Sequence, residues 1–336
     1  MKSNITIYES SYTPKYNLEE IRFPKIEANH EGYLRVSDLH EIWYAEYGNS
    51  QGIPVIFLHA GPGGGTTSDD PRFFNPKYYR IILFDQRGAK RSKPICEIEE
   101  NTPQHLVSDM ERLRVHLGIS KWLLFGGSWG SALSMLYGEA YPEHCLGFIL
   151  RGIWTVTDEE IVNIFAMGDV FPENYDELES FIPEDERANL MSAYFKRFCD
   201  PDISVSMEAS RILMKYDLEA AFLMDNKERV KKILEEENNF LAVSKIFTYY
   251  GLNKFFLRPN QIINDLHKIS HLPAIIVQGR YDIICRIKNA YRIHKNWPGS
   301  EMIIVQDAGH SASELGICKA LIDATNKMSE YLLSNK

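Results

Sequence analysis

Residues 123–130 read LLFGGSWG, and this stretch decides how the rest of the chain is interpreted. An apolar run leads into Ser128, which stands between Gly126 and Gly130. The two glycines leave room for a sharp strand-to-helix turn, because a Cβ at either position would crowd the backbone. Such a turn lifts the serine hydroxyl above the end of a sheet, where a base can remove its proton. The pattern therefore predicts that Ser128 is a nucleophile at the end of a buried strand.

Two later apolar runs supply a candidate acid and a candidate base. Residues 274–282 (AIIVQGRYD) end in Asp282, and residues 302–310 (MIIVQDAGH) end in His310. Both side chains would lie on loops at the carboxyl ends of strands, where open α/β sheets hold their functional groups. The order serine, acid, histidine is that of the α/β-hydrolase arrangement. We therefore predict that Ser128 is the nucleophile, that His310 is the general base, and that Asp282 orients the imidazole.

Each of these residues has a simpler interpretation when it is considered alone. An aspartate after a strand is commonly a turn former, and a single histidine is commonly a surface or hydrogen-bonded residue. Asp307 is a competing acid, but its position so close to His310 along the chain favours a structural role in the loop. The correct order of the three residues, each after a strand, favours the triad of Ser128, Asp282 and His310.

A glycine-rich loop follows an earlier strand. Residues 53–58 (IPVIFL) predict the strand, and residues 59–65 read HAGPGGG. Backbone N–H groups in such a loop can stabilise developing negative charge, and we expect the amides of Gly61 and Trp129 to form an oxyanion hole. The glycine spacing matches neither of the common nucleotide-binding patterns, so we do not expect a nucleotide. We expect His59 to brace the loop by hydrogen bonds.

The spacing of apolar runs predicts an α/β fold with a mostly parallel sheet flanked by helices. Period-two patterns over residues 32–48 are typical of an antiparallel edge pair. Parallel strands are expected near residues 53–58, 80–85, 121–125 and 145–150, with helical stretches between them.

Residues 153–258 lack such strands and are rich in helix formers and charged residues. We predict that they form a helical cap domain inserted into an α/β-hydrolase core, which residues 1–152 and 259–336 form together.

Composition limits the partners of the chain. The 336 residues, of which 44% are hydrophobic, can bury one large core and a smaller insertion. A net charge of −9 argues against a nucleic-acid or anionic-membrane partner. We see no transmembrane run and no signal-peptide core, and the five cysteines lack a C-x-x-C spacing. We therefore expect a cytoplasmic protein that acts on a small-molecule or short-peptide substrate, without a metal or organic cofactor. The sequence does not specify an oligomeric state.

Six stretches of the chain match one enzyme family in order. They read HAGPGGG, FDQRGA, GGSWGS, LRGIW, GRYD and AGHS, at residues 59–65, 84–89, 126–131, 150–154, 279–282 and 308–311. From about Gly32 onward the chain resembles the proline iminopeptidases (prolyl aminopeptidases), which are α/β-hydrolase serine peptidases. The resemblance implies a cap over the sheet and the removal of an N-terminal proline from peptides.

The resemblance also implies a set of substrate-binding residues. In the family, two cap glutamates hold the charged amino end of the substrate, and aromatic residues form the proline pocket. The first glutamate follows a Trp-x-x-Trp pattern, which matches residues 213–217 (LMKYD) and places Asp217 there. The second lies in an Arg-Ile-Glu-Asn-His-Tyr run, which matches residues 245–250 (KIFTYY) and places Phe247 there. The implied substrate-binding positions are Ala60, Trp154, Asp217 and Phe247.

These replacements change the charge that a substrate would meet. A buried ammonium needs carboxylates nearby, because an uncompensated buried charge costs several kcal/mol. One shortened acid and one phenyl ring match that charge poorly, which favours a neutral acyl compound, a blocked peptide or an ester. The alternative is that another cap acid, such as Glu208 or Asp225, supplies the second charge.

We predict a serine hydrolase of the prolyl aminopeptidase type, which cleaves an amide through an acyl-enzyme on Ser128. The alternative within the same chemistry is a diverged amidase, esterase or acyltransferase that acts on a neutral or N-blocked acyl substrate. A different class of function is a non-enzymatic binding protein on a hydrolase scaffold. The presence of every triad and loop element argues against this last class.

Overall fold

The computed structural model describes residues 4–8, 17–224, 226–236 and 240–335. Within these residues the strands are β1 (Ile5–Tyr8), β2 (His30–Arg35), β3 (Glu41–Gly48), β4 (Ile53–Leu58), β5 (Tyr79–Phe84), β6 (Trp122–Ser128), β7 (Cys145–Ile153), β8 (Ala274–Gly279) and β9 (Ser300–Val305). They form one sheet in the order β1-β9-β8-β7-β6-β4-β5-β3-β2. Each strand expected from the sequence overlaps one of these.

The sheet is parallel except at one side. β3 pairs antiparallel with both β2 and β5, which confirms the antiparallel edge pair. The remaining neighbours run parallel, from β5 and β4 through to β9 and β1. β6, β7 and β8 read as nearly continuous apolar runs because helices cover both of their faces. β1 is a short edge strand that the sequence did not predict.

The helices of the described residues are α1 (Leu18–Ile21), α2 (Pro103–His116), α3 (Trp129–Ala140), α4 (Asp158–Asn163), α5 (Pro172–Ser180), α6 (Leu190–Phe198), α7 (Ile203–Ala220), α8 (Lys227–Glu236), α9 (Phe240–Leu252), α10 (Gln261–Asp265), α11 (Ile287–Lys295) and α12 (Leu315–Ser334). α3 packs on β6, and α12 packs on β8. None of these described helices combines the length and the apolar character needed to cross a membrane.

Helices α4 to α9, here called the inserted helices, lie between β7 and β8 in the chain. They have an apolar cluster of their own, in which Leu178, Tyr194, Leu213 and Tyr216 are buried. α7 contacts α6, α8 and α9, so it is central to this group. The boundaries at 153 and 258 stay a prediction, but the helical character expected between them is present.

Both connections between the sheet and the inserted helices contain residues with positive φ. Val156 has φ 55°, and Lys254, Phe255 and Phe256 have φ 50°, 53° and 54°. Non-glycine residues in this region cost about 1–3 kcal/mol each and persist only where packing holds them. The Phe255 ring centroid lies 4.7 Å from that of Trp154 and is fully buried. The strained turn therefore places an aromatic ring beneath the inserted helices.

Glu139 on α3 is an unusual buried acid. Its side chain is 8% exposed, and among the described residues neither carboxyl oxygen has a hydrogen-bond partner. Burial, assisted by the charge of Asp265, raises its pKa to about 9. The folded protein therefore keeps this carboxyl protonated at neutral pH, whereas the unfolded chain ionises it near the ordinary value of 4.5.

This difference predicts a pH-dependent stability that Glu139→Gln removes. The wild type loses stability as pH rises from about 4.5 towards 9, because only the unfolded chain releases the proton in that window. One pKa unit corresponds to about 1.4 kcal/mol. We expect the free energy of unfolding of Glu139→Gln, relative to wild type, to rise by at least ~1.4 kcal/mol between about pH 4.5 and pH 7.5. Chemical denaturation at both pH values measures this.

The matched control is Glu173→Gln, at an exposed position of α5. Its stability should follow the wild-type pH curve. Parallel curves for Glu139→Gln and wild type would contradict the raised pKa.

Candidate active site

Ser128 lies in the sharp turn that the sequence predicts. Its backbone has φ 58° and ψ −125°, at the junction of β6 and α3. A Cβ on Gly126 would lie 2.2 Å from the Gly130 carbonyl oxygen, and one on Gly130 would lie 2.0 Å from that of Leu58. Only glycine fits at these two positions, because each contact is to backbone. The Ser131 hydroxyl donates to the Ser128 carbonyl at 2.7 Å and supports the turn.

Asp282 and His310 meet at the ends of β8 and β9. His310 Nδ1 lies 2.8 Å from Asp282 Oδ2, and both residues are buried. The same carboxylate accepts hydrogen bonds from Gln278 Nε2 at 3.0 Å and from the Cys285 amide at 2.8 Å. Gln278 is itself fixed, because its Oε1 accepts from the Ile153 amide at 3.1 Å. A proton on Nδ1 leaves the lone pair of His310 Nε2 free to act as an acceptor.

In this structure the partner of that lone pair is Arg151. Arg151 Nη1 lies 3.1 Å from His310 Nε2 and donates to the His310 carbonyl at 2.8 Å. No hydrogen bond in the described part of the chain joins Ser128 Oγ to His310, although both residues line one cavity. Catalytic hydrogen bonds are often long in free enzymes and shorten in the substrate complex. Ser128 and His310, the predicted nucleophile and base, thus line the same cavity, and Arg151 is hydrogen-bonded to His310.

The loop after β4 is braced as the sequence predicts. His59 Nε2 accepts from the Gln86 amide at 3.0 Å, and its Nδ1 lies 3.0 Å from the Gly65 amide and 2.8 Å from the Ala60 carbonyl oxygen. Burial lowers the pKa of His59 to about 4, which keeps the ring neutral. Ala60 and Gly61 line the cavity, while Trp129 begins α3 with its side chain fully buried. The pairing of the Gly61 and Trp129 amides as an oxyanion hole stays a prediction.

A cavity of about 370 Å³ lies between the carboxyl ends of the strands and the inserted helices. The residues predicted for the site that line it are Ala60, Gly61, Ser128, Trp154, Asp217, Phe247 and His310. Two predicted residues are outside its lining: Asp282 lies behind His310, and Trp129 points into the core. Most of the remaining wall is apolar, from side chains such as Met167, Leu213, Leu218, Phe222 and Ile284.

Asp217 is the acid of α7 that faces the cavity. Many protein atoms surround the Asp217 carboxyl group, but the residue is exposed because it borders the cavity. Within the described residues its carboxylate has no hydrogen-bond donor and no ion pair. Burial raises its pKa, whereas the nearby His310 acts in the opposite direction. The carboxylate is therefore available to a cation that enters the cavity.

Phe247 on α9 belongs to an aromatic wall. Its ring stacks on Trp154 with a centroid distance of 6.2 Å and meets Phe255 edge-on at 6.0 Å. The position that the resemblance gives to a second glutamate thus carries no charge. Glu208 does not replace it, because its side chain is exposed on α7 and is outside the cavity lining. Asp225 lies outside the described residues.

A second acid at the cavity, Glu160, was missed by the sequence analysis. Its carboxylate accepts hydrogen bonds from the Thr155 hydroxyl at 2.6 Å, the Thr157 amide at 3.0 Å and Asn289 Nδ2 at 2.6 Å. These donors leave little capacity for a substrate cation. In the described part of the chain, no group of three or more His, Cys, Asp or Glu side chains is arranged to hold a metal ion.

Arg151 and Gln278 were also missed as site residues. Arg151 stands in the LRGIW stretch, and Gln278 precedes Asp282 by four residues in the β8 run. A polar residue inside an otherwise apolar strand that ends at a functional residue is the signal that could have identified both.

Comparisons with known proteins agree with this geometry. The family model described as alpha/beta hydrolase fold matches residues 53–316. The chain is 43% identical over 314 residues to the proline iminopeptidase of Arabidopsis thaliana, covering 92% of this chain and 82% of that protein. It is 42% identical over 308 residues to the probable proline iminopeptidase of Leptolyngbya boryana, covering 91% and 96%.

Solved structures show the same fold at low sequence identity. The proline iminopeptidase-related protein of Thermus thermophilus has a TM-score of 0.63 and 17% identity, covering 91% of this chain and 98% of that one. The esterase RhEst1 of Rhodococcus sp. ECU1013 has a TM-score of 0.61 and 15% identity, covering 90% and 99%. The α/β-hydrolase fold predicted from the sequence is confirmed. The chain belongs to the α/β-hydrolase family and, within it, to the proline iminopeptidases, as a serine hydrolase of the prolyl aminopeptidase type.

Proposed function

We propose that this enzyme removes an amino-terminal residue, proline in the first instance, from peptides or amides through an acyl-enzyme on Ser128. The observation that carries the proposal is that one cavity holds the nucleophile Ser128, the base His310 and the unpaired carboxylate of Asp217. A positive amino group beside the scissile carbonyl would have a partner there. The names of the relatives support the same substrate class.

Acylation follows from the positions of the triad residues. His310 Nε2 exchanges Arg151 for the Ser128 hydroxyl and takes its proton as Ser128 Oγ attacks the carbonyl carbon. Asp282 holds Nδ1–H and stabilises the imidazolium that forms. The negative oxygen faces the Gly61 and Trp129 amides. The imidazolium then protonates the leaving amine, and the C–N bond breaks.

Deacylation uses the same groups in the same order. A water molecule gives its proton to His310 Nε2 and attacks the ester carbonyl of the acyl-enzyme. The second tetrahedral intermediate collapses, the proton returns to Ser128 Oγ, and the free acid leaves. If an amine or alcohol takes the place of water, the same intermediate is transferred instead of hydrolysed.

A second candidate function rests on Phe247. The cavity wall has the phenyl ring of Phe247 where the family has a second glutamate, and Asp217 is the acid available to a cation. With less negative charge there, the cavity also suits a neutral or N-blocked acyl group. The apolar lining supports this, because burying uncharged groups there needs no compensating charge. The two candidates share the chemistry on Ser128 and differ in whether the amino group is recognised.

We place the enzyme in the cytoplasm. All five cysteines lie in the described part of the chain as free thiols. Free thiols support a reducing compartment, as the cysteine spacing does in the sequence.

The chemistry is tested by labelling with a fluorophosphonate probe. We expect the wild type to be labelled at Ser128 and Ser128→Ala to be unlabelled, because the probe reacts with an activated serine. Absence of wild-type labelling, or equal labelling of Ser128→Ala, would overturn the proposed enzyme function.

The role of Asp282 is tested by Asp282→Asn. The amide cannot hold Nδ1–H as the carboxylate does, so the imidazole loses its tautomer and orientation. We expect kcat for Pro-anilide to fall by about 10³–10⁴-fold with little change in KM. The matched control is the competing acid: Asp307→Asn should retain kcat within about threefold. Equal losses in the two variants would remove Asp282 from the triad.

The role of Asp217 is tested by comparing Pro-anilide with N-acetyl-Pro-anilide. We expect Asp217→Asn to raise KM for Pro-anilide at least about 10-fold and to leave the acetylated substrate unchanged. Since burial raises the pKa of Asp217, the wild-type KM for Pro-anilide should fall as pH rises above the ordinary carboxyl range. Asp217→Asn should lack this dependence. An unchanged preference in the variant would favour the neutral-substrate candidate.

Phe247→Glu tests the position of the missing charge. A second carboxylate opposite the amine should raise the kcat/KM ratio of Pro-anilide to N-acetyl-Pro-anilide by at least about 10-fold. Phe247→Leu, which keeps the wall apolar, is the control and should leave the ratio unchanged. If Phe247→Glu folds but does not alter the ratio, Phe247 lies away from the amino group.

A further inference from the structure

The loop that carries His310 is fastened to the end of α7. The His310 amide donates to the Ala221 carbonyl at 3.0 Å, and the Ser311 amide donates to the same oxygen at 2.8 Å. Ala221 is the C-cap residue directly after α7. One carbonyl of the inserted helices thus receives two backbone hydrogen bonds from the residues that position the base.

The carboxylate of Glu314 makes a second bridge between the same two segments. Its Oε2 accepts from the Gly309 amide at 2.7 Å, and its Oε1 accepts from the Leu223 amide at 3.0 Å. Glu314 stands directly before α12, but its side chain does not cap that helix. Burial raises the pKa of Glu314, so holding its carboxylate at this place costs free energy. A helix-capping hydrogen bond does not offset that cost, because the side chain makes none. The bridge is the interaction that accounts for its position.

Gly309 shows how closely the two segments approach. A Cβ there would lie 3.0 Å from the Leu223 nitrogen and 3.4 Å from the Ala221 carbonyl oxygen. The first distance is tighter than an ordinary side chain accepts, so even alanine would push the segments apart. The His310 loop therefore has little freedom to move independently of α7.

α7 also carries the proposed amine anchor. Asp217 precedes Ala221 by four residues, so the two positions lie one helical turn apart on the same face. A helix transmits a displacement along its length because its hydrogen bonds hold successive turns together. The positions of the anchor and of the base are thus linked through a single turn of α7.

The link matters because His310 has to change partner. In the free enzyme its Nε2 bonds to Arg151, and it must reach Ser128 to act as a base. Arg151 also bonds to the His310 carbonyl, so the position of the loop bears on which of the two neighbours Nε2 meets.

We propose that Glu314 is a positioning residue that couples the recognition end of the cavity to the base, so that a substrate amine held by Asp217 improves the alignment of His310 with Ser128. The inference rests on the proposed function. It adds a way in which recognition of the substrate amine raises kcat as well as affinity.

Glu314→Gln tests the positioning role. Glutamine keeps one acceptor oxygen and turns an NH₂ group towards the other amide, which breaks one half of the bridge. We expect kcat for Pro-anilide to fall about 10-fold while KM stays within about twofold. Glu330→Gln, on an exposed part of the same helix, is the control and should leave both unchanged. A lower melting temperature with an unchanged kcat would overturn the proposal.

Gly309→Ala tests the same bridge without altering a charge. The added methyl presses on the end of α7, so we expect kcat to fall and KM to change little, as in Glu314→Gln. The second variant keeps the proposal testable if Glu314→Gln fails to fold. Full activity of folded Gly309→Ala would overturn the proposal.

The coupling has its own readout in the ratio of kcat for Pro-anilide to kcat for N-acetyl-Pro-anilide. We expect this ratio to exceed one in the wild type and to fall at least about threefold in Glu314→Gln, whereas the KM preference set by Asp217 remains. A wild-type ratio of one, or an unchanged ratio in the variant, would overturn the coupling.

Fluorophosphonate labelling separates this failure from failure of the proposed function. If wild-type Ser128 is not labelled, the proposed function fails. If Ser128 is labelled and Glu314→Gln retains the wild-type kcat and ratio, only the coupling fails.

Discussion

The close approach of β6 to α3 at Ser128 is the constraint on which the rest of the structure depends. Backbone meets backbone there, with no space for a side chain at Gly126 or Gly130, and Ser128 takes a strained φ of 58°. Such strain persists only when its surroundings hold it. The Ser131 hydroxyl supports the turn from below, and the Trp129 indole is anchored on Gln86 Oε1 at 2.8 Å. Packing of the core therefore fixes the position of Ser128, the proposed nucleophile, and the other proposed site residues have to reach it.

The two acids near the base are distinguished by their surroundings. Asp282 is held by His310, Gln278 and the Cys285 amide, which suits a carboxylate that has to stay fixed in one orientation. Asp217 faces the cavity without a donor among the described residues, and burial raises its pKa. Environments that separate two carboxylates in this way commonly assign them separate tasks. In the proposed mechanism, Asp282 orients the base and Asp217 meets the amino group of the substrate.

Much of the fold, and the placement of Ser128, Asp282 and His310 near one another, could be predicted because the signals are local. β4, β6, β8 and β9 are short apolar runs. Ser128 ends β6, and Asp282 and His310 lie on the loops that follow β8 and β9. Arg151 and Glu314 escaped because their partners lie 159 and 91 residues away, at His310 and Leu223. The polar side chain inside β7 marks Arg151 as unusual, but no local pattern names the distant partner of either residue. β1 escaped for the same reason, since four residues acquire their role only by pairing with β9. The cavity volume depends on how the inserted helices pack, which periodicity does not specify.

The residues with positive φ at the two connections bear on how the cavity discriminates between ligands. Val156 on one side and Lys254, Phe255 and Phe256 on the other have positive φ, and the side chains of Val156 and Phe255 are buried. Packing around Val156 and Phe255 restricts these two backbone angles. A cavity whose walls are restricted in this way loses less conformational entropy when a ligand binds. Discrimination between cyclic and linear ligands of different size then depends on how well their shapes complement the cavity.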